Sequence, residues 1–229
     1  MSTPPKGFAV AIDGPVGVGK STTARLVAEK LQMTYIDTGA MYRAVALFNT
    51  LNGVDLSDEI QVISGLSDIN IDLTIINGTQ RIYLNDTDVT DQIRTQAMSE
   101  GASKVAVYSA VREKLVSQQK RMAENSQVVM DGRDIGSHVL PWAQVKIYLD
   151  ASLEVRTTRR LKDLEAKGEA ADFETIHAET VIRDRRDKNR TISPLIQTPD
   201  AIYIDTGLMP PGAVADTICK IVTERGRIE

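Results

Sequence analysis

The sequence predicts an α/β fold in which a mostly parallel five-stranded sheet lies between two layers of helices. Short apolar runs alternate along the chain with amphipathic helical segments, and this alternation is typical of parallel sheets that are covered on both faces. Several of the runs end in an aspartate, at the edge of the sheet where ligands gather in such folds. A chain of 229 residues suits one domain, residues 1–229.

The composition is that of a globular protein and excludes several other classes. The chain is 42% hydrophobic and 25% charged, which excludes collagen-like chains, disulfide scaffolds and wholly disordered chains. Its 27 basic and 31 acidic residues give a net charge of −4, without the basic excess that a nucleic acid polymer attracts. Cys219 is the single cysteine and cannot form an internal disulfide, so we expect a cytoplasmic protein. The apolar runs are too short to cross a membrane, and we expect no membrane partner.

The first half of the chain begins with two strand and helix pairs. Strands are predicted at residues 8–12 and 34–36, and each is followed by a segment with apolar residues at helical spacing. The two apolar stripes are Ala24, Val27, Ala28 and Leu31, then Met41, Ala44, Val45 and Phe48. Residues 69–90 instead alternate apolar and polar positions around Asn77-Gly78, which predicts an inserted antiparallel hairpin lobe. Helical sequence then runs from roughly Ser99 to Asn125.

The second half supplies the remaining strands of the sheet and a helical lid. Apolar runs at 127–130, 145–149 and 201–204 are predicted strands, and each is followed by an aspartate. Residues 152–191 are helical and rich in arginine, with an interruption at Lys167-Gly168-Glu169. We expect this segment to be a pair of helices that acts as a lid; a solvated pair of helices with many ion pairs is the alternative.

The most specific motif is the segment Gly14–Ser21, GPVGVGKS, which matches the P-loop pattern G-x-x-x-x-G-K-[ST]. It follows the first strand and opens the first helix, so the sequence predicts a P-loop three-layer sandwich that binds a nucleoside triphosphate. Backbone N–H groups and the helix N-terminus bind phosphate, Lys20 reaches the β- and γ-phosphates, and Ser21 ligates Mg²⁺. Asp131 is either a second Mg²⁺ residue, acting through water, or a structural turn residue. The predicted triphosphate-binding residues are Gly14, Pro15, Val16, Gly17, Val18, Gly19, Lys20, Ser21 and Thr22.

Two classes of nucleotide-binding protein lack support in the sequence. The D-x-x-G and N-K-x-D motifs of regulatory GTPases do not occur among the 229 residues. Gly132-Arg133-Asp134 is not a protein-kinase catalytic loop, because the expected histidine and the following asparagine are missing. A kinase for a small molecule and a P-loop module that switches a partner's shape remain open.

Several further motifs, in order along nearly the whole chain, resemble those of the bacterial cytidylate kinase family. They are Ile12-Asp-Gly-Pro, Asp37-Thr-Gly-Ala-Met-Tyr-Arg43, Ile93-Arg-Thr95, Val111-Arg-Glu113, Asp131-Gly-Arg-Asp-Ile-Gly136, Val145-Lys-Ile-Tyr-Leu-Asp-Ala151 and Arg183-Asp-Arg-Arg-Asp-Lys-Asn-Arg190. Some members of the family carry a second arginine two positions before Arg112, where this chain has Ala110.

The resemblance implies an acceptor-nucleotide region at residues 37–126. Arg43 and Arg133 would grip the acceptor phosphate beside Thr38, because guanidinium forks match phosphate oxygens. Cytosine would be read by Ser103, Arg112 and Asp134, and the closing lid would bring Arg183, Asp187 and Arg190 to the sugar and phosphates.

The resemblance also implies an ATP- and Mg²⁺-dependent phosphorylation of CMP and dCMP to the diphosphates by a cytoplasmic monomer. The acceptor phosphate is already anionic, so in-line transfer requires positioning and charge neutralisation rather than a strong base. Lys20, Arg133, Arg160 and Arg185 are the predicted catalytic residues. We expect one of the lid arginines to stabilise the transferring phosphoryl group; the candidates are Arg156, Arg159, Arg160, Arg185 and Arg186. A kinase for another small monophosphate or metabolite is the main alternative.

Overall fold

The computed structural model describes residues 7–76, 79–124 and 126–225, which divide into two compact units. The first unit contains the described residues up to 35 and from 122 onward, and the second contains those between 36 and 121. The described helices contain none that is both long enough and apolar enough to span a membrane.

The five predicted strands form one sheet, which confirms the α/β prediction. The strands are β1 (Ala9–Asp13), β2 (Thr34–Asp37), β6 (Val128–Gly132), β7 (Val145–Asp150) and β8 (Ile202–Asp205), in the order β2-β6-β1-β7-β8. β1 runs parallel to both β6 and β7, and β7 runs parallel to β8. All residues of β1 and β6 are buried. For this reason both strands have apolar sequences up to Asp13 and Asp131.

The core of the first unit lies between the sheet and two helices, α1 (Lys20–Leu31) and α8 (Pro211–Arg225). Ile12 and Ile147 of the sheet pack with Val27 of α1 and Ile218 of α8. Each such side chain contributes about 1.5–3 kcal/mol when it is fully buried. Cys219 is a buried free thiol in the same cluster, as its apolar neighbours in the sequence predict.

The predicted lid segment is a pair of helices, α6 (Leu153–Glu165) and α7 (Phe173–Asn189), which pack against each other. Ser152 and Asp172 cap their N-termini by accepting hydrogen bonds from Val155 N and Thr175 N. The predicted interruption lies between the helices, and Gly168 has a φ of 74°, which a side chain would disfavour.

The second unit consists of helices and an antiparallel sheet. Its helices are α2 (Thr38–Leu51), α3 (Glu59–Ser64), α4 (Gln96–Val105) and α5 (Ser109–Ala123), the last ending just beyond the unit. Its strands are β3 (Ile71–Ile76), β4 (Thr79–Leu84) and β5 (Thr87–Asp88), in the order β3-β4-β5. Ile71 pairs with Leu84 and Leu73 pairs with Ile82 in antiparallel register, which confirms the hairpin prediction. The predicted turn, Asn77-Gly78, lies outside the described residues.

The helical sequence predicted from roughly Ser99 to Asn125 forms two helices in the structure. α4 ends at Val105 and α5 begins at Ser109. Two side chains stabilise the break: the Tyr108 hydroxyl donates to Leu56 O at 2.9 Å, and Arg112 Nη1 donates to Ala106 O at 3.2 Å. These hydrogen bonds join residues that sequence periodicity does not relate, and the second satisfies a carbonyl at the end of a helix. Asn125 lies outside the described residues.

Candidate functional site

The P-loop connects β1 to α1, and its glycines adopt backbone conformations that side chains disfavour. Gly14, Gly17 and Gly19 have φ values of 151°, 82° and 84°. A Cβ atom on Gly14 would lie 2.1 Å from the carbonyl oxygen of Leu149, so glycine is required there for two reasons. Val16 and Val18 bury their side chains while Thr22 is exposed, so the backbone of the loop is the part suited to phosphate.

Lys20 lies at the start of α1 with its ammonium group inside the loop. Its Nζ atom donates to Pro15 O at 2.6 Å, and the residue is only 6% exposed. Burial lowers the pKa of Lys20 well below its usual value, and the positive charges of Arg133 and Arg183 lower it further, against the opposing effect of Asp131 and Asp187. In these surroundings an anionic ligand would strongly stabilise the charged form of the lysine.

Ser21 and Asp131 come together at the carboxyl ends of β1 and β6. Ser21 Oγ donates to Asp131 Oδ2 at 3.0 Å, and the Tyr35 hydroxyl donates to Asp131 Oδ1 at 2.8 Å. A serine hydroxyl and a carboxylate are hard oxygen donors, and Mg²⁺ is commonly held by one or two carboxylates together with substrate phosphates. The donor set therefore fits Mg²⁺.

Asp13 is a buried carboxylate that holds the backbone after β6. Its Oδ1 and Oδ2 atoms accept hydrogen bonds from Ile135 N and Gly136 N, both at 2.8 Å. Burial raises the pKa of Asp13 to about 7, although the two backbone hydrogen bonds and Lys20 oppose this shift. Asp13 thereby links the beginning of the P-loop to the segment that carries Arg133 and Asp134.

Arg133 and Asp187 form a buried ion pair beside the P-loop. Arg133 Nε and Asp187 Oδ2 are 2.8 Å apart, with side-chain exposures of 18% and 7%. Burial alone would lower the pKa of Arg133, but Asp187 and Asp131 raise it above its usual value. Burial alone would raise the pKa of Asp187, but Arg133 and Arg183 lower it below its usual value. Both groups are therefore held in their charged forms.

A second buried pair joins Asp134 to the end of α7. Arg190 Nη2 lies 3.2 Å from Asp134 Oδ1, and Arg190 Nε donates to Ser193 O at 2.6 Å. Asp187 lies in the last turn of α7, and Arg190 directly follows the helix. Seven predicted site residues thus belong to one cluster of charged and polar groups in the first unit: Lys20, Ser21, Arg133, Asp134, Arg183, Asp187 and Arg190.

The lid arginines differ in their surroundings. Arg156 Nη1 lies 2.7 Å from Asp184 Oδ2 and donates to Val16 O at 3.2 Å. Arg159 Nη2 donates to Thr206 O at 2.6 Å. The other three lie on α6 and α7, with Arg160 and Arg186 partly buried and Arg185 exposed. The roles of Arg160 and Arg185 in transfer stay predictions.

Four predicted acceptor residues belong to the second unit. Arg43 Nη2 and Asp37 Oδ2 form an ion pair at 2.8 Å, while Asp37 Oδ1 accepts from Ala40 N and so caps α2, where Thr38 is buried. Ser103 is 5% and Arg112 is 3% exposed. The Arg112 guanidinium lies over the ring of Tyr42, 5.7 Å from its centroid, which is within the range of a cation–π interaction.

Asp13, Asp184 and Thr206 were not predicted as site residues. Asp13 and Thr206 each lie at or just after the end of a strand, which is a usable signal in a parallel sheet. Asp184 lies within the Arg183–Arg190 motif, but it is one of several acidic residues in a charged helical segment, and the motif gave it no role.

Comparisons with known proteins identify the family to which the chain is similar. The family model described as cytidylate kinase matches residues 10–224. The cytidylate kinase of Bacillus licheniformis is 45% identical over 223 residues, which cover 97% of this chain and 99% of that protein. The cytidylate kinase of Leuconostoc mesenteroides is 46% identical over 214 residues, 93% of this chain and 94% of that protein. An uncharacterized protein from Eubacterium ventriosum has a similar fold, with a TM-score of 0.51 at 12% identity over 96% of this chain and 99% of that one.

Proposed function

Because the chain belongs to the cytidylate kinase family, we propose that this phosphotransferase moves the γ-phosphoryl group of ATP to CMP and dCMP. The products are ADP and CDP or dCDP. The observation that carries the proposal is the position of Arg133: it is held by Asp187, and its charge acts on the P-loop lysine, Lys20. The Arg133 guanidinium group, which suits an acceptor phosphate, therefore interacts electrostatically with Lys20, which suits the donor phosphates.

The donor side of the reaction belongs to the P-loop. Its backbone N–H groups and the N-terminus of α1 bind the phosphates of ATP, and Lys20 exchanges its hydrogen bond to Pro15 O for one to a phosphate oxygen. Ser21 and Asp131 would hold Mg²⁺, which would neutralise phosphate charge when bound. The hydrogen bond from Tyr35 keeps the Asp131 carboxylate oriented toward Ser21.

The acceptor side depends on arginines rather than on a base. The phosphate of CMP presents an anionic oxygen, so the protein orients it in line with the γ-phosphoryl group and neutralises the developing charge. Arg133 directs its Nε atom to Asp187 and Nη1 to Gly132 O, which fixes the plane of its guanidinium group. Arg183 adds a further positive charge near Lys20 and Asp187.

The assignments for the remaining acceptor residues rest on the resemblance to the family. They are Thr38 and Arg43 for the phosphate, Ser103, Arg112 and Asp134 for the base, and Arg190 for the sugar and phosphates. The chemistry agrees with these assignments, because a carboxylate accepts from the cytosine amino group and an arginine donates to the acceptors of the ring. Uracil reverses part of this pattern of donors and acceptors. The buried side chains assigned to cytosine would then lack partners, which disfavours UMP.

Residues 152–191 act as the lid in this proposal. Closure over the nucleotides excludes water from the γ-phosphoryl group, which would otherwise be hydrolysed. Arg160 and Arg185 are the lid residues proposed to stabilise the transferring group. An arginine in such a role is worth about 10³–10⁵ in rate.

The test is ADP formation from ATP and Mg²⁺ with CMP, with dCMP and with no acceptor. We expect turnover to require the acceptor. Replacing Arg133 with alanine should abolish use of CMP while ATP binding, measured by calorimetry without acceptor, changes little. Arg25→Ala is the control, because Arg25 is an exposed arginine on α1. Acceptor-independent hydrolysis would indicate a nucleotide switch, and unchanged turnover of CMP by Arg133→Ala would overturn the acceptor assignment.

A further inference from the structure

Arg156 connects the P-loop to α7 inside the first unit. Its Nε atom donates to Ala151 O at 3.0 Å and its Nη1 atom donates to Val16 O at 3.2 Å. The same Nη1 atom lies 2.7 Å from Asp184 Oδ2, and the two side chains are 8% and 13% exposed. The guanidinium group thus joins three segments of the chain: the P-loop, the start of α6 and the middle of α7.

Close packing between the P-loop and α6 accompanies these hydrogen bonds. A Cβ atom on Gly17 would lie 3.0 Å from both the Cβ and the carbonyl oxygen of Arg156. Real Cβ atoms are rarely so close to a neighbour, so the loop is in contact with the first turn of the helix. Movement of Arg156 therefore moves the surroundings of the phosphate-binding backbone.

α7 forms ion pairs through two neighbouring side chains on one face. Asp184 and Asp187 are three residues apart, a spacing that places them on the same side of a helix. Asp184 pairs with Arg156 at 2.7 Å, and Asp187 pairs with Arg133 at 2.8 Å. One helix thus holds both the P-loop, through Arg156, and the arginine proposed to bind the acceptor phosphate.

We propose that Arg156 and Asp184 are a positioning pair that sets the conformation of the P-loop for ATP. The inference rests on the proposed function only in that ATP is the ligand of the loop. Arg156 acts through the carbonyl of Val16, and Asp184 acts by holding Arg156; neither is assigned to the transferring phosphoryl group. Buried ion pairs with additional hydrogen bonds resist rearrangement, because breaking one partner leaves the other charge without compensation.

The test compares Arg156→Lys, Asp184→Asn and the double variant by calorimetric titration with ATP in the absence of any acceptor. Lysine keeps the charge but is a point donor without the planar fork that reaches Val16 O, Ala151 O and Asp184 together. We expect about tenfold weaker ATP binding for Arg156→Lys, the change expected from one lost charged hydrogen bond. Asp184→Asn should also weaken ATP binding. The double variant should bind ATP no more weakly than the single variant that has the lower affinity.

Matched controls are Asp163→Asn on α6 and Lys188→Gln on α7, both of which replace exposed residues. Neither should change ATP affinity or the melting temperature. In steady-state assays, the two variants of the pair should raise the KM for ATP more than the KM for CMP. Lower melting temperatures with unchanged ATP affinity would reduce the pair to a structural role, and additive losses would refute the coupling. Because calorimetry needs no acceptor, a protein that did not phosphorylate CMP would contradict the proposed function without deciding this inference.

Discussion

Stability of the first unit should depend on pH through Asp13. Its carboxylate is buried and accepts hydrogen bonds from Ile135 N and Gly136 N, and burial raises its pKa from 3.8 to about 7. The perturbation is Asp13→Asn, which has nearly the same shape and does not titrate. Asparagine accepts one of the two N–H groups, while its own amide donor faces the other.

The sign follows from proton binding in the two states. Between the unfolded pKa of 3.8 and the folded pKa of about 7, the native protein binds more protons at Asp13 than the unfolded chain does. The contribution of this group to the free energy of unfolding is therefore fully present below pH 3.8 and is lost as pH rises through 7. Between pH 5 and pH 8 the loss amounts to about 3 kcal/mol, since one pKa unit corresponds to about 1.4 kcal/mol.

The assay is urea unfolding, followed by circular dichroism at intervals between pH 5 and pH 8. The difference in free energy of unfolding between the wild type and Asp13→Asn should fall by about 3 kcal/mol over this range. Titrating groups that do not interact with Asp13 cancel in that difference. Asp163→Asn, which changes an exposed carboxylate on α6, should run parallel to the wild type. A constant difference between the wild type and Asp13→Asn would refute the reasoning.

Two further substitutions test the geometry of the P-loop. Gly14→Ala would bring a Cβ atom to 2.1 Å from Leu149 O at a φ of 151°, and we expect a loss of at least about 3 kcal/mol in the free energy of unfolding. Its control, Gly212→Ala, has no atom within 4 Å of the new Cβ and should change the stability by under about 1 kcal/mol; similar losses for both would contradict the clash. Ser21→Ala removes the hydroxyl that donates to Asp131 at 3.0 Å, and the Mg²⁺ concentration for half-maximal activity should rise about tenfold. An unchanged Mg²⁺ requirement would exclude Ser21 as a ligand.

Much of the first unit could be predicted because local sequence patterns indicate its strands and its P-loop. The strands of a covered parallel sheet are continuous apolar runs, and the P-loop has a fixed spacing between a strand and a helix. Lys20 and Arg133 follow strands whose carboxyl ends share one edge of the sheet, whereas Asp187 lies on α7 and was predicted from the resemblance to the family.

The remainder depends on contacts between residues distant in sequence, which local patterns do not report. The break between α4 and α5 is stabilised by a hydrogen bond from Tyr108 to Leu56. In the sequence Arg156 is one of five lid arginines, and nothing local indicates its bonds to Asp184, Val16 and Ala151. Asp13 likewise has no local sign of its two backbone partners.

The most direct test of the central claim is the ratio of kcat/KM for CMP to that for UMP, measured in a coupled assay for ADP with saturating ATP and Mg²⁺. The proposed base readers, Arg112 and Asp134, are 3% and 5% exposed, so an unpaired group on either one is costly. At about 1–3 kcal/mol for each unsatisfied buried group, CMP should be preferred by at least about tenfold. Equal or better use of UMP would contradict the account of the acceptor site, and turnover without either nucleotide would contradict the kinase itself.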